Sequence, residues 1–143
     1  MSRLLLAAAL LFPSVALAVP QCATDDHRAQ LGDFAEKLRG SDSVEQAQEL
    51  AIAKISLTER AVRQAVKIVP NDVELLEHQH QLQAFRAGVE DARTQEQVAQ
   101  RFSTLQGQQM GGSCHFSTGE VIAIVLGFIL GIIPGIILLI LLC

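Results

Sequence analysis

The sequence predicts an all-α protein: an antiparallel helical hairpin, three-helix bundle or coiled coil in an exported domain, followed by one C-terminal transmembrane helix. Two observations lead to this. Apolar residues recur at three- and four-residue spacings through the middle of the chain, where proline and glycine are sparse. Residues 121–143 then carry no charge, and this run of 23 residues is long enough to cross a bilayer as a helix.

The N-terminus predicts a signal peptide over residues 1–18. Arg3 supplies the positive region, residues 4–12 the apolar region, and Ala16-Leu17-Ala18 the cleavage site. This short, Ala/Leu-rich pattern is typical of bacterial export. We therefore expect a protein of the bacterial inner membrane, with its ectodomain in the periplasm and its C-terminus at the cytoplasmic face.

Three helices are expected in the ectodomain, which covers residues 19–105. The first should run over 25–39, with Thr24 as N-cap and Gly40 at its end. The second should run over 44–69, where Ser43-x-x-Gln46 is a possible capping box and Pro70 ends the helix.

The third helix should begin at Asn71 and extend to about residue 105, roughly twice the length of the first. Its apolar pattern shifts near residues 93–97, which predicts either a bend or an exposed seam that packs on a second copy. The seam residues are Leu75, Leu82, Phe85 and Val89.

The C-terminal part divides into a flexible juxtamembrane linker over 106–119 and the transmembrane helix over 120–143. Glycines spaced four apart in this helix lie on one face, where a second helix can approach closely. A proline among them predicts a kink. The glycines are Gly127, Gly131 and Gly135, and the proline is Pro134.

Three cysteines are present, and an oxidising compartment favours a Cys22–Cys114 disulfide. Bonds between copies are the main alternative, and Cys143 is expected to be inert, with lipidation as a weaker alternative. A zinc site formed by Cys22, His27, Cys114 and His115 is a weaker interpretation, because export opposes free thiolates and no Cys-x-x-Cys spacing occurs. We expect no metal and no cofactor.

Charge and motifs exclude several function classes. Without Arg3, 10 basic and 15 acidic residues remain, a net charge of −5, which gives no electrostatic basis for binding nucleic acid. Nucleophile-elbow, phosphate-loop and His-Glu-x-x-His motifs are absent from the sequence. We therefore expect no enzymatic activity and infer no small-molecule substrate.

The leading hypothesis is a membrane-anchored, non-enzymatic interaction protein that assembles as a homo-oligomer, or with a partner membrane protein, through its tail helix or its seam. The alternative is a small membrane-active protein, either pore-forming or an immunity or exclusion factor. The uncharged tail offers no polar residue to line an aqueous path, which disfavours a conducting pore. A sorting tail that is later cleaved is a third possibility.

Overall fold

The computed structural model describes residues 23–107 and 114–143, and within these ranges it contains helices and no strands. The all-α prediction is confirmed. The predicted signal peptide and Cys22 lie outside the described residues. The helices are α1 (Asp25–Arg39), α2 (Val44–Ile68), α3 (Val73–Glu90), α4 (Gln95–Gly107), α5 (Thr118–Leu130) and α6 (Ile132–Leu141).

Helices α1 and α2 form where the capping residues predict them. The Thr24 hydroxyl accepts a hydrogen bond from the His27 amide, and the Ser43 hydroxyl accepts one from the Gln46 amide. The side chain of Gln46 accepts from the amide of Asp42, one residue before the N-cap, rather than from Ser43 as in a regular capping box.

The predicted third helix is two helices, α3 and α4, separated by residues 91–94. The predicted bend therefore becomes a complete break. The side-chain amide of Gln48 on α2 donates to the carbonyls of Val89, Glu90 and Ala92, at 2.9 to 3.1 Å. These bonds satisfy carbonyls that would otherwise lack partners at the end of α3. At the other end of α3, the N-cap is Asp72 rather than the predicted Asn71.

Antiparallel pairs build the bundle. Helix α1 packs mainly on α4, and Arg39 at its end bonds Glu96 at the start of α4, with Nε and Oε2 2.8 Å apart. Helix α2 packs on α3 and α5. Arg86 of α3 bonds Glu59 of α2 at 2.8 Å, and it also bonds Glu90 within α3. Both arginines have a raised pKa, chiefly because these carboxylates accept their hydrogen bonds.

One apolar core joins helices α1 to α4 to the C-terminal segment. Helix α6 contacts α1, α2, α4 and α5, and its residues 134–140 are all buried. A helix buried on every side is a central core element. Residues 134–140 are thus packed inside the bundle, whereas the sequence predicted a separate C-terminal element. Core side chains from both parts include Leu31, Phe34, Leu75, Leu82, Val89, Phe102, Ile124, Ile136, Ile137 and Leu138.

The predicted seam of the third helix faces this core. Leu75, Leu82 and Val89 are fully buried, and Phe85 is partly buried. The ring of Phe85 meets that of Phe102 edge to face, with centroids 5.2 Å apart. The sequence predicted one long third helix, part of which would pack on a second copy. Instead, α3 ends at Glu90, and the residues that follow form α4, which packs on α1 of the same chain.

Candidate functional site

The C-terminal hairpin formed by α5 and α6 is the candidate functional site. The sequence predicted one transmembrane helix over 120–143, whereas the structure has two helices here: α5 ends at Leu130 and α6 begins at Ile132. Gly131 lies between them with φ 153° and ψ 159°, a conformation that other residues rarely adopt. Pro134 explains the position of the break, because it has no amide hydrogen to bond the carbonyl of Leu130 and its ring would clash there.

Among residues 23–107 and 114–143, none of the helices has both the length and the apolar character needed to cross a membrane.

The predicted glycine face brings α5 and α6 together within one chain. A Cβ atom on Gly127 would lie 2.8 Å from Cδ1 of Leu138 and 3.1 Å from Cα of Gly135. A Cβ atom on Gly135 would collide with the ring of Phe128. The two backbones can therefore approach this closely only because both positions are glycine. Packing of these glycines on another copy stays a prediction.

A group of polar side chains, called the clasp below, holds the start of α5 to α3; it consists of Asp72, His78, Ser117 and Glu120. The Asp72 carboxylate accepts hydrogen bonds from the Ser117 hydroxyl at 2.6 Å, the Gly119 amide at 3.0 Å and the Leu75 amide at 3.0 Å. Burial acts to raise the pKa of Asp72, but these hydrogen bonds outweigh it and lower the pKa below its ordinary value of 3.8. The ionised carboxylate caps α3 and anchors the hairpin at once.

Glu120 extends the clasp into the core. Its side chain is 3% exposed and accepts from the Ser117 amide at 2.6 Å, while its other oxygen lies 3.0 Å from Nε2 of His78 on α3. A buried carboxylate requires such partners, because an unpaired charge in an apolar interior is costly. The acid and the imidazole thus have a structural role in fixing α5 against α3.

The base of the hairpin is closed by cysteines. Cys114 and Cys143 form a disulfide with their Cα atoms 5.2 Å apart, across a separation of 29 residues. The sequence placed these two residues on opposite sides of a membrane and expected Cys143 to be inert. Cys22 lies outside the described residues, so the Cys22–Cys114 bond stays a prediction that competes with the observed pair for Cys114.

The outer side of the hairpin presents aliphatic side chains to solvent. Ile129 and Ile132, on either side of Gly131, are 73% and 58% exposed, and Val125 is 42% exposed. A second exposed pair, Ile68 and Val73, lies at the turn between α2 and α3. Ile129 and Ile132 therefore form an apolar tip on a hairpin whose other face is buried.

In the described part of the chain, no group of three or more potential metal ligands comes together, so these residues give the weaker zinc interpretation no support. His27 is used in the cap of α1 and its ring lies against Phe128, with centroids 5.8 Å apart. Phe128 is near the tip of the hairpin, whereas Cys114 is at its base.

Sequence reasoning missed the clasp residues Asp72, His78, Ser117 and Glu120. One signal was present: Ser117-x-x-Glu120 has the capping-box pattern, and both of its hydrogen bonds form. It marks a helix start at Thr118, inside the segment predicted as a linker. The pairing of Glu120 with His78 depends on tertiary contacts that the sequence does not display.

Comparison of the chain with known proteins found no relative: no family model matches it, and no curated protein or solved structure is significantly similar to it.

Proposed function

We propose that this chain is a membrane-anchored, non-enzymatic interaction protein whose C-terminal segment has two states. In the closed state the segment is the hairpin described above. In the open state residues 118–142 form one helix that spans the bilayer and holds the helical domain at the periplasmic face of a bacterial inner membrane. The observation that carries the proposal is the hairpin itself, an uncharged 23-residue run interrupted only at Gly131.

Length supports the open state. Residues 118–142 would form a helix of about 37 Å at 1.5 Å per residue, which exceeds the roughly 30 Å hydrocarbon core of a bilayer. Residue 120 supplies the only charge in this stretch, and it stands in the first turn, where it would lie at the membrane surface.

The exposed tip supports contact with lipid. Ile129 and Ile132 remain 73% and 58% exposed in the closed state, so transfer of this exposed apolar area from water to hydrocarbon favours the membrane. The absence of a polar face on residues 121–143 favours an anchor over a pore-forming protein. Oligomers of the open state would assemble through the helix face of Gly127, Gly131 and Gly135.

Flotation of the mature chain with phosphatidylcholine vesicles, in the presence of a reductant, tests the proposal. Ile129→Lys places a charge near the middle of the spanning helix, which costs about 3 kcal/mol and should reduce binding roughly 100-fold. Ile68→Lys is the matched control, because Ile68 is 61% exposed and lies outside the tail. Both variants should retain the wild-type helical content in water.

The proposal predicts that the wild type and Ile68→Lys float and that Ile129→Lys stays in the aqueous fraction. Equal flotation of the two variants would place the membrane contact outside the tail, and no flotation of the wild type would refute the proposal. Release of an entrapped dye by the bound wild type would favour the membrane-active alternative over a passive anchor.

A further inference from the structure

We propose that the Cys114–Cys143 disulfide is a redox latch that holds the tail in its closed state and that its reduction permits the open state. This inference rests on the proposed function, since it concerns the same segment. It assigns a regulatory role to Cys143, which was expected from the sequence to be inert.

The two cysteines flank the hairpin, so a bond between them holds its two ends together. Cys114 lies four residues before α5, and Cys143 lies two residues after the end of α6, so the bond encloses the whole hairpin and little else. Its Cα–Cα distance of 5.2 Å is within the range that a disulfide spans.

The disulfide and the open state exclude each other. In one continuous helix, a sequence separation of 29 would place these two positions roughly 40 Å apart, far beyond the reach of a disulfide. The spanning helix would also place Cys143 at the opposite membrane face from Cys114. An oxidised chain therefore cannot form the continuous spanning helix, whatever the affinity of the tail for lipid.

The latch is accessible to a reductant. Cys143 is exposed and Cys114 is partly exposed, so neither cysteine is enclosed in the core. Exposed disulfides belong to the class that is readily reduced, unlike those sealed within a core. Residues 134–140 of α6, which lie between the two cysteines, are in contrast buried.

The chemistry is thiol–disulfide exchange with a dithiol as reductant. A thiolate of the dithiol attacks Sγ of Cys143, the bond to Sγ of Cys114 breaks, and Cys114 leaves as a thiolate that takes up a proton. The second thiol of the reductant then attacks the mixed disulfide and releases the Cys143 thiol. The chain gains two electrons and two protons, and the dithiol becomes a disulfide.

The test is vesicle flotation of the full mature chain, oxidised or treated with dithiothreitol, beside Cys143→Ser and the matched control Cys22→Ser. We expect the oxidised wild type to remain aqueous and its flotation to rise at least tenfold on reduction. Cys143→Ser should float with or without the reductant. Cys22→Ser should respond to the reductant as the wild type does.

Each remaining outcome contradicts the latch in a distinct way. Equal flotation of oxidised and reduced wild type would overturn the latch and leave the membrane anchor standing. No flotation of any sample, including reduced Cys143→Ser, would overturn both. Peptide mapping of the oxidised chain that finds Cys22–Cys114 in place of Cys114–Cys143 would assign the bond to the competing pair and overturn the latch.

Discussion

Cys114 and Cys143 lie with their Cα atoms 5.2 Å apart, although they are 29 positions apart in sequence and two helices lie between them. This proximity follows from the reversal at Gly131, which folds the most apolar part of the chain back on itself. The two halves then bury each other and complete the core of the bundle. A segment with the composition of a membrane helix is thereby used as the centre of a helical domain.

The conformation of Gly131 should control the balance between hairpin and continuous helix. The backbone of Gly131 has φ 153°, which residues with a Cβ atom rarely adopt. Gly131→Ala should therefore destabilise the closed bundle by about 1–3 kcal/mol. In a continuous helix the same change is favourable by roughly 1 kcal/mol. We therefore predict lower stability to urea in water and at least tenfold greater vesicle binding of the reduced chain.

Gly107→Ala is the matched control for this experiment, because a Cβ atom at Gly107 has no neighbour within 4 Å. It should change neither the unfolding midpoint nor vesicle binding appreciably. A Gly131→Ala variant as stable as wild type would show that Gly131 is not what reverses the chain.

Close packing inside the hairpin depends on Gly127. In Gly127→Ala, the new methyl group would lie 2.8 Å from Cδ1 of Leu138 and against the backbone of Gly135, so the helices must move apart. We predict a loss of about 1–3 kcal/mol in the free energy of unfolding, measured by urea denaturation of the oxidised chain. An unchanged free energy would mean that α5 and α6 are not in contact at this point.

The clasp on Asp72 predicts a specific loss of stability in acid. Because its pKa is lower in the folded chain than the ordinary value of 3.8, its contribution is complete above that value. It is lost as pH falls through the lower folded pKa. Asp72→Asn keeps a cap for α3 but lacks the charge, and it should cost about 1–2 kcal/mol at pH 6.

The check is urea unfolding of the wild type and Asp72→Asn at pH 6 and again below pH 3. The difference between the two proteins should shrink in acid, where the wild-type carboxylate becomes protonated. A difference that is the same at both pH values would show that the charge of Asp72 does not hold the clasp.

Gln48 should fix the end of α3 against α2. Its amide nitrogen donates to three backbone carbonyls, and Gln48→Glu would place carboxylate oxygens against them. We predict a cost of about 1–3 kcal/mol, measured by thermal or urea unfolding at neutral pH. Gln64→Glu, an equivalent change at an exposed position of α2, should cost less than about 0.5 kcal/mol. Equal effects of the two changes would remove this role of Gln48.

Local signals predicted the helices that local chemistry determines. Thr24 and Ser43 marked the starts of α1 and α2, and the changed periodicity near residues 93–97 marked the region where α3 gives way to α4. These features depend on hydrogen bonds and apolar spacing within a few residues, which a sequence displays directly.

The hairpin could not be predicted in the same way. An uncharged run of 23 residues suits a bilayer and a protein core equally well, because both are apolar. The choice between them depends on whether the other helices leave a space that α6 can fill, a tertiary property. Gly131 and Pro134 were visible as a weak point, but a kinked spanning helix and a reversed hairpin share that signal.

The distance between residues 114 and 143 tests the central claim most directly. Spin labels on Cys114 and Cys143 in a reduced Cys22→Ser chain report that distance by pulsed electron–electron double resonance, in water and again in phosphatidylcholine nanodiscs. Two states of the tail predict a short distance in water and one of roughly 40 Å in nanodiscs. A short distance in both would contradict the account, because the hairpin would then remain closed on the membrane.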